Sequence, residues 1–166
     1  MHKIELEIVA LSHSITQSNS YAVVLGEVNG LRRLPIVIGG FEAQAIAVAL
    51  ENMHPSRPLT HDLFVNMLND LSIKIESITI TKFVDGIFYA IITVKTNNTS
   101  IDIDSRPSDA VAISLRSKVP IQIDSNLLST LSIHETQINT ESDRSQDEEI
   151  INTSLSYDDL NNLLND

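Results

Sequence analysis

Two turn dipeptides, each flanked by alternating apolar and polar residues, constrain the fold of this chain more than any other feature. Asn29-Gly30 and Asp85-Gly86 favour the tight turns that join neighbouring antiparallel strands. The two-residue period on either side is typical of strands with one buried face. Pro35 marks its strand as an edge or an end, because proline donates no hydrogen bond to a sheet. The pattern predicts strands at residues 2–10, 20–28, 31–38, 73–83, 87–96, 99–104 and 119–123.

Three segments between these strands have helical periodicity. We expect Thr60 to be the N-cap of the second helix and Pro107 to be the first residue of the third. The apolar face of the second helix is predicted to comprise Leu63, Phe64, Met67, Leu68 and Leu71. The helices are predicted at residues 41–51, 60–71 and 107–118, with a single helical turn at 126–131. The fold class is therefore α+β: a mixed, largely antiparallel sheet packed by about three helices, in a single domain with an acidic tail.

Charge divides the chain into a nearly neutral body and an acidic tail. Residues 1–133 carry ten basic and 13 acidic side chains, whereas residues 134–166 carry one arginine and nine acids. With 42% apolar residues, the 166-residue chain can bury one core. We expect a domain at 1–133, a flexible acidic linker at 134–153 and a short helix at 154–166. A helix this short is marginal alone, so we expect it to bind a protein partner or its own body.

Composition also excludes several classes of function. The chain has no cysteine, which excludes disulfides, thiolate metal sites and a cysteine nucleophile, and which fits a cytoplasmic protein. The N-terminal residues have no long apolar run, so we expect no signal peptide, and no stretch approaches the roughly 20 apolar residues that span a membrane. The body also lacks the basic excess that is usual in nucleic-acid-binding proteins.

The tripeptide Ser-Arg-Pro occurs twice, each time just before a predicted helix. At residues 56–58 it precedes Thr60, His61 and Asp62, and at residues 105–107 it precedes Ser108 and Asp109. Together with Glu42 at the start of the first helix, these motifs place an acidic residue in the first turn of each helix. Carboxylates there are favoured by the helix dipole, by about 0.3–1 kcal/mol, so capping alone accounts for them.

A functional interpretation of the same residues is a site that holds a divalent metal, with phosphate contacts around it. Carboxylates bind Mg²⁺ or Mn²⁺, and a histidine can act as a general base. The predicted metal ligands are Glu42, Asp62 and Asp109, and the predicted catalytic residues are His61, Asp62 and Asp109. The predicted phosphate contacts are Arg57, Arg106 and Ser108. The arginines can equally pair with Asp62 and Asp109 or with a neighbouring subunit, and the histidine can be a partly exposed residue at a helix start.

Three blocks of the sequence resemble the bacterial bifunctional nuclease (BFN) domain family. They are LPIVIGGFEAQAIA at 34–47, RPLTHDL at 57–63 and SRPSDAVA at 105–112, and the resemblance extends over about residues 3–130. It implies an α+β fold, a cytoplasmic bacterial protein, a homo-oligomer and a nuclease that acts on DNA and RNA. Residues 156–164 resemble the opening of a UVR-type helical hairpin, and the sequence stops before a second helix.

Two functions of different classes follow from these observations. The resemblance favours a metal-dependent nuclease that acts on DNA, RNA or both. The nearly neutral body favours a non-catalytic oligomeric binding module, in which the doubled Ser-Arg-Pro helix starts are structural or bind a small anion. In either case we expect a homo-oligomer, most simply a dimer, because exposed sheet edges are usually paired or covered.

Overall fold

The computed structural model describes residues 2–13, 20–97 and 99–134 of the chain. Residues 135–153 of the predicted linker and the predicted C-terminal helix lie outside the described residues. His134, which was predicted to begin the linker, belongs to a strand instead. In the described part, eight strands are found: β1 (Lys3–His13), β2 (Ser20–Glu27), β3 (Arg32–Gly39), β4 (Lys74–Val84), β5 (Ile87–Thr96), β6 (Thr99–Ser105), β7 (Ile121–Asp124) and β8 (Ile133–His134). The helices there are α1 (Gly40–Leu50), α2 (Thr60–Asp70), α3 (Pro107–Ser117) and α4 (Ser125–Leu131).

All eight strands form one sheet, in the order β6-β5-β4-β7-β1-β2-β3-β8. The neighbours β4 and β7 are parallel, and the other described pairs are antiparallel. The predicted fold class, a mixed and largely antiparallel α+β sheet, is thus confirmed. The predicted single turn near residue 126 is a full helix, α4, whose first turn is stabilised because the Asp124 carboxylate accepts a hydrogen bond from the Asn126 N–H.

The two predicted hairpins differ in the length of their turns. Asp85 and Gly86 form the expected two-residue turn, and both have positive φ, as such turns require. The prediction of a two-residue turn at Asn29-Gly30 is wrong, because four residues separate β2 from β3. The Val28 N–H donates to the carbonyl of Glu5 on β1, which draws the chain out of the hairpin before it turns.

The apolar face predicted for α2 is confirmed only in part. Leu68 is buried and Phe64 packs against the core as predicted, whereas Leu63 and Leu71 are more than 60% exposed. Val65, which was not predicted, is buried. Asp62 binds Arg116 of α3, and Val65, which lies three residues later on the same side of the helix, is buried beside this pair. Thr60 is the first helical residue, and Leu59, which precedes it, is the N-cap residue, so the prediction of Thr60 as N-cap is wrong as well.

Three helices pack so that α3 contacts both α1 and α2 and also contacts β4 and β5. Alanines make the close approach of α1 possible, since Ala43, Ala45 and Ala47 are all buried. Pro107 begins α3 as predicted. Helices α1 and α3 directly follow strands β3 and β6, so the strand ends hold their first turns in place. No helix in the described ranges is long and apolar enough to cross a membrane.

Candidate active site at the helix starts

The first turn of α1 places Glu42 against the end of β3. A side-chain Cβ at Gly39 would lie 2.4 Å from a carboxylate oxygen of Glu42, so the absence of a side chain at Gly39 leaves room for this orientation of Glu42. The Glu42 side chain is 20% exposed. Gly39, which the sequence suggests only as a strand breaker, therefore also makes room for a carboxylate of the site.

Arg106 joins the starts of α1 and α3. It is the N-cap residue of α3, and its Nη1 lies 2.6 Å from Oε1 of Glu42. Its Nε donates a hydrogen bond to Oδ2 of Asp109 at 2.7 Å, and its Nη2 donates one to Oδ1 at 3.1 Å. The bonds to Asp109, and then that to Glu42, raise the pKa of Arg106 above its ordinary value, so it stays a cation. Its side chain is nevertheless 66% exposed.

His61 of α2 completes this network. Its Nε2 lies 3.0 Å from Oδ1 of Asp109, and its ring is 16% exposed. Burial on its own would raise the pKa of Asp109, but the hydrogen bonds from Arg106 and His61 outweigh it, so the pKa lies below the ordinary value. We refer to Glu42, Arg106, Asp109 and His61 as the site cluster. It links the first turns of α1, α2 and α3, as the doubled motif suggests.

Asp62 belongs to a second ion pair, with a residue that the sequence analysis missed. Its Oδ1 lies 2.5 Å from Nε of Arg116, and its Oδ2 accepts the Leu59 N–H at 2.8 Å. Burial would raise the pKa of Asp62, but these hydrogen bonds lower it below its ordinary value. Arg116 lies two helical turns after Asp109 on α3, and this seven-residue spacing was the available signal that it faces the helix starts.

Arg116 is a buried structural cation. Its side chain is only 9% exposed, and Nη1 donates to the carbonyls of Ala45 on α1 and Ala112 on α3. Because its Nε binds Asp62 of α2, a single guanidinium joins α1, α2 and α3.

The two Ser-Arg-Pro motifs are not equivalent in the structure. Arg106 binds two carboxylates, whereas Arg57 is exposed and makes no hydrogen bond or ion pair within the residues described here. Asp62, which was a possible ion-pair partner of Arg57, forms its ion pair with Arg116 instead. Ser108 is buried at 6% exposure.

The donor set of the site cluster suits a single cation between two carboxylates, and Arg106 lies at that position. No group of three or more histidine and acidic side chains in the described residues is arranged to hold a metal ion. Glu42 and Asp109 are the carboxylates of the cluster that could hold a metal ion, and both bind Arg106 in this structure. Arg106 has the most exposed side chain of the four cluster residues.

The protein is an α+β domain in which two carboxylates, a histidine and an arginine lie together at the starts of three helices. Residues 23–136 match the family model described as the bifunctional nuclease domain. The chain therefore belongs to the bifunctional nuclease domain family, as its sequence blocks predict.

Relatives in bacteria and plants are similar to this chain over part of its length. An uncharacterized protein of Mycobacterium tuberculosis is 41% identical over 110 residues, which is 66% of this chain and 65% of the relative. Bifunctional nuclease 2 of Oryza sativa subsp. japonica is 30% identical over 97 residues, and Bifunctional nuclease 1 of Arabidopsis thaliana is 29% identical over the same length. The match covers 57% of this chain but only 30% of either plant protein.

Proposed function

We propose that this domain is a nuclease that hydrolyses phosphodiester bonds in DNA, RNA or both with the help of Mg²⁺ or Mn²⁺. The observation that carries this proposal is the site cluster, which places a histidine, two carboxylates and an exposed arginine within direct hydrogen-bond contact. A phosphodiester hydrolase needs these groups: a base, anionic metal ligands and a cation for phosphate. Membership of the family and the names of the plant relatives support it.

In this proposal Glu42 and Asp109, which bind Arg106 in this structure, would hold the metal ion. The ion would supply Lewis-acid chemistry, by lowering the pKa of a water molecule and polarising the phosphate. Arg106 would then be free to bind two phosphate oxygens with the five N–H donors of its planar guanidinium. Arg57, which is exposed one residue before Pro58, remains a predicted phosphate contact, as does Ser108.

His61 is the proposed general base. When its Nε2–H donates to the carboxylate of Asp109, the ring keeps a lone pair on Nδ1, which can take a proton from an attacking water. Asp62 is the next residue, and its bonds to Arg116 and Leu59 fix the first turn of α2 that carries His61. We therefore assign Asp62 a positioning role, and its role as a metal ligand stays a prediction.

The proposal is tested with the purified protein and fluorescent RNA and DNA oligonucleotides in Mg²⁺, Mn²⁺ or EDTA. We expect divalent-ion-dependent cleavage, a loss of about 100-fold or more in His61→Ala, and a comparable loss in Glu42→Gln. Glu51→Gln is the matched control, because Glu51 follows the other end of α1 and is exposed. Mn²⁺ binding, followed by electron paramagnetic resonance, should weaken in Glu42→Gln and not in Glu51→Gln. Wild-type protein that cleaves nothing with any divalent ion contradicts the proposal.

A second function, a non-catalytic binding module, is favoured by a specific observation. The carboxylates of Glu42, Asp62 and Asp109 are each already paired with an arginine, as they would be in a purely structural network. If the cluster is structural, Glu42→Gln lowers the free energy of unfolding without any metal-dependent effect. Comparison of Mn²⁺ binding with thermal stability in that variant separates the two functions.

We also propose that the domain works as a homodimer in the cytoplasm. Its surface supports association, because Phe41, Leu63 and Leu71 are large apolar side chains with more than 60% of their area exposed. Nucleic acid is the proposed substrate and partner.

A further inference from the structure

A groove opens beside the site cluster and has a different chemistry from it. One wall is formed by the residues of β3 after Arg33, and β8 does not pair with these residues. The other wall is the tip of the β4–β5 hairpin. The groove ends at Glu42 and Arg106, and its volume is about 480 Å³. Pockets that bind small molecules and cofactors have about 300–1,000 Å³, so this groove is large enough for a nucleotide.

The walls of the groove are apolar and partly aromatic. Phe88 is half-buried in it, and the Phe83 ring lies 4.5 Å away, centre to centre. Ile87 and Val37 are 58% and 57% exposed at its rim. A ligand that fits both the apolar groove and the cation at its end needs a flat apolar group for the groove and an anionic group for Arg106. A nucleotide unit has this construction, since its base stacks on aromatic side chains while its phosphate pairs with arginine.

We infer that this groove holds an unpaired nucleobase of a single-stranded nucleic acid, with the adjacent phosphate on Arg106. The inference rests on the proposed function and names the substrate class for the same site. A base within a duplex is stacked and paired, so it must leave the helix before it can enter a groove of this kind. A single strand presents its bases freely, which makes it the favoured substrate.

A second copy of the chain fits this groove less well than a nucleobase. Pairing of two sheet edges requires a row of free backbone donors and clear space beside it. Pro35 lacks a donor in the middle of this edge, and Gly86 and Ile87 of the hairpin tip stand across from it. The concave shape therefore favours a small group inserted from a strand over a flat strand-to-strand contact.

The test measures binding without cleavage, by fluorescence anisotropy of labelled oligonucleotides in Mg²⁺, because the proposed release of Arg106 needs the metal ion. His61→Ala is introduced into the wild type and into every variant to prevent cleavage. We expect the wild type to bind a single strand at least about tenfold more tightly than a duplex of the same sequence. Phe88→Ala should weaken single-strand binding by about 5- to 100-fold, the usual effect of removing one stacking partner. Tyr89→Ala is the matched control, because Tyr89 is the next residue on β5 and contacts Lys82, away from the groove lining.

A second variant keeps the test decisive if Phe88→Ala fails to fold. Ile87→Asp changes an exposed rim residue and places a carboxylate where the strand would lie, so it should weaken binding as well. Ile101→Asp on β6, which is 47% exposed and does not line the groove, should bind like the wild type. Equal affinity for single strand and duplex, or no effect of either groove variant, overturns the inference.

Two further outcomes separate this inference from the proposed function. Cleavage of duplex and single strand at equal rates, unaffected by Ile87→Asp, refutes the groove as a base site and leaves the nuclease proposal standing. Single-strand binding that depends on Phe88, without cleavage in any divalent ion, supports the groove and refutes the nuclease. If Ile87→Asp converts a dimer to a monomer in light scattering, the groove is an interface between copies, and the inference is wrong.

Discussion

Replacement of Arg116 by methionine should reveal how much of the stability of this domain depends on a single guanidinium. The side chain is 9% exposed and binds Asp62 of α2 and two helix carbonyls. Removal of one partner from a buried ion pair costs about 3–5 kcal/mol, because the other charge is left uncompensated. Asp62 is 29% exposed and regains some hydration, so we expect the lower end of that range, a loss of about 3 kcal/mol in the free energy of unfolding.

The loss should be measured by urea unfolding, followed by circular dichroism at neutral pH. Lys95→Met is the matched control, because Lys95 pairs with Glu76 on the surface at 3.6 Å, with side chains 50% and 35% exposed. Exposed pairs of this kind contribute about 0–1 kcal/mol. If Arg116→Met costs no more than Lys95→Met, then Arg116 does not hold α1, α2 and α3 together.

The same pair predicts how stability depends on pH. The pKa of Asp62 is lowered in the folded state, so its stabilisation is fully present above the ordinary pKa of an aspartate and is lost as the pH falls through the folded value. The difference between wild type and Arg116→Met should therefore be largest at neutral pH and should shrink below about pH 4. A difference that stays constant down to pH 3 would mean that the ion pair is not its source.

Three other predictions concern the site, the tail and assembly. Asp109→Asn should abolish divalent-ion-dependent cleavage in a gel assay, whereas Asp104→Asn, which changes an exposed residue of β6, should not. If Asp109→Asn cleaves as fast as the wild type, Asp109 is not a metal ligand. Deletion of residues 135–166 should leave the melting temperature nearly unchanged and tighten nucleic-acid binding at low salt, because it removes most of the net negative charge; a deletion that unfolds the body would refute this. Light scattering should give the mass of a dimer, and a monomer mass at working concentration would count against it.

Local signals predicted most of the strands and helices of this fold. Asp85-Gly86 is a turn because both residues accept positive φ, and the flanking period of two is a property of each strand by itself. The strand order was not predictable in the same way. The parallel contact of β7 with β4 joins segments about 40 residues apart, and no local pattern in either of them specifies it.

The rotation of α2 was unpredictable for a related reason. Phe64 and Leu68 pack on the core as predicted, but Val65 is buried and Leu63 is exposed, so the buried face is turned relative to the predicted one. Val65 lies on the same side of the helix as Asp62, which binds Arg116, a residue 54 positions away. A prediction based on apolar periodicity alone had no access to a contact so distant in the sequence.

The doubled motif correctly indicated which helix starts carry charge, but it suggested a symmetry that the structure lacks. Each of Asp62 and Asp109 binds one guanidinium, yet the two arginines differ in what they can do. Arg116 is 9% exposed and bonded to helix carbonyls, so it cannot leave without unpacking α1 and α3. Arg106 is 66% exposed, so the proposed exchange of its carboxylates for a phosphate would not require α1 and α3 to unpack. The same pairing chemistry thus stabilises one helix start and leaves the arginine of the other open to solvent, and for this reason a search for activity should begin at Arg106.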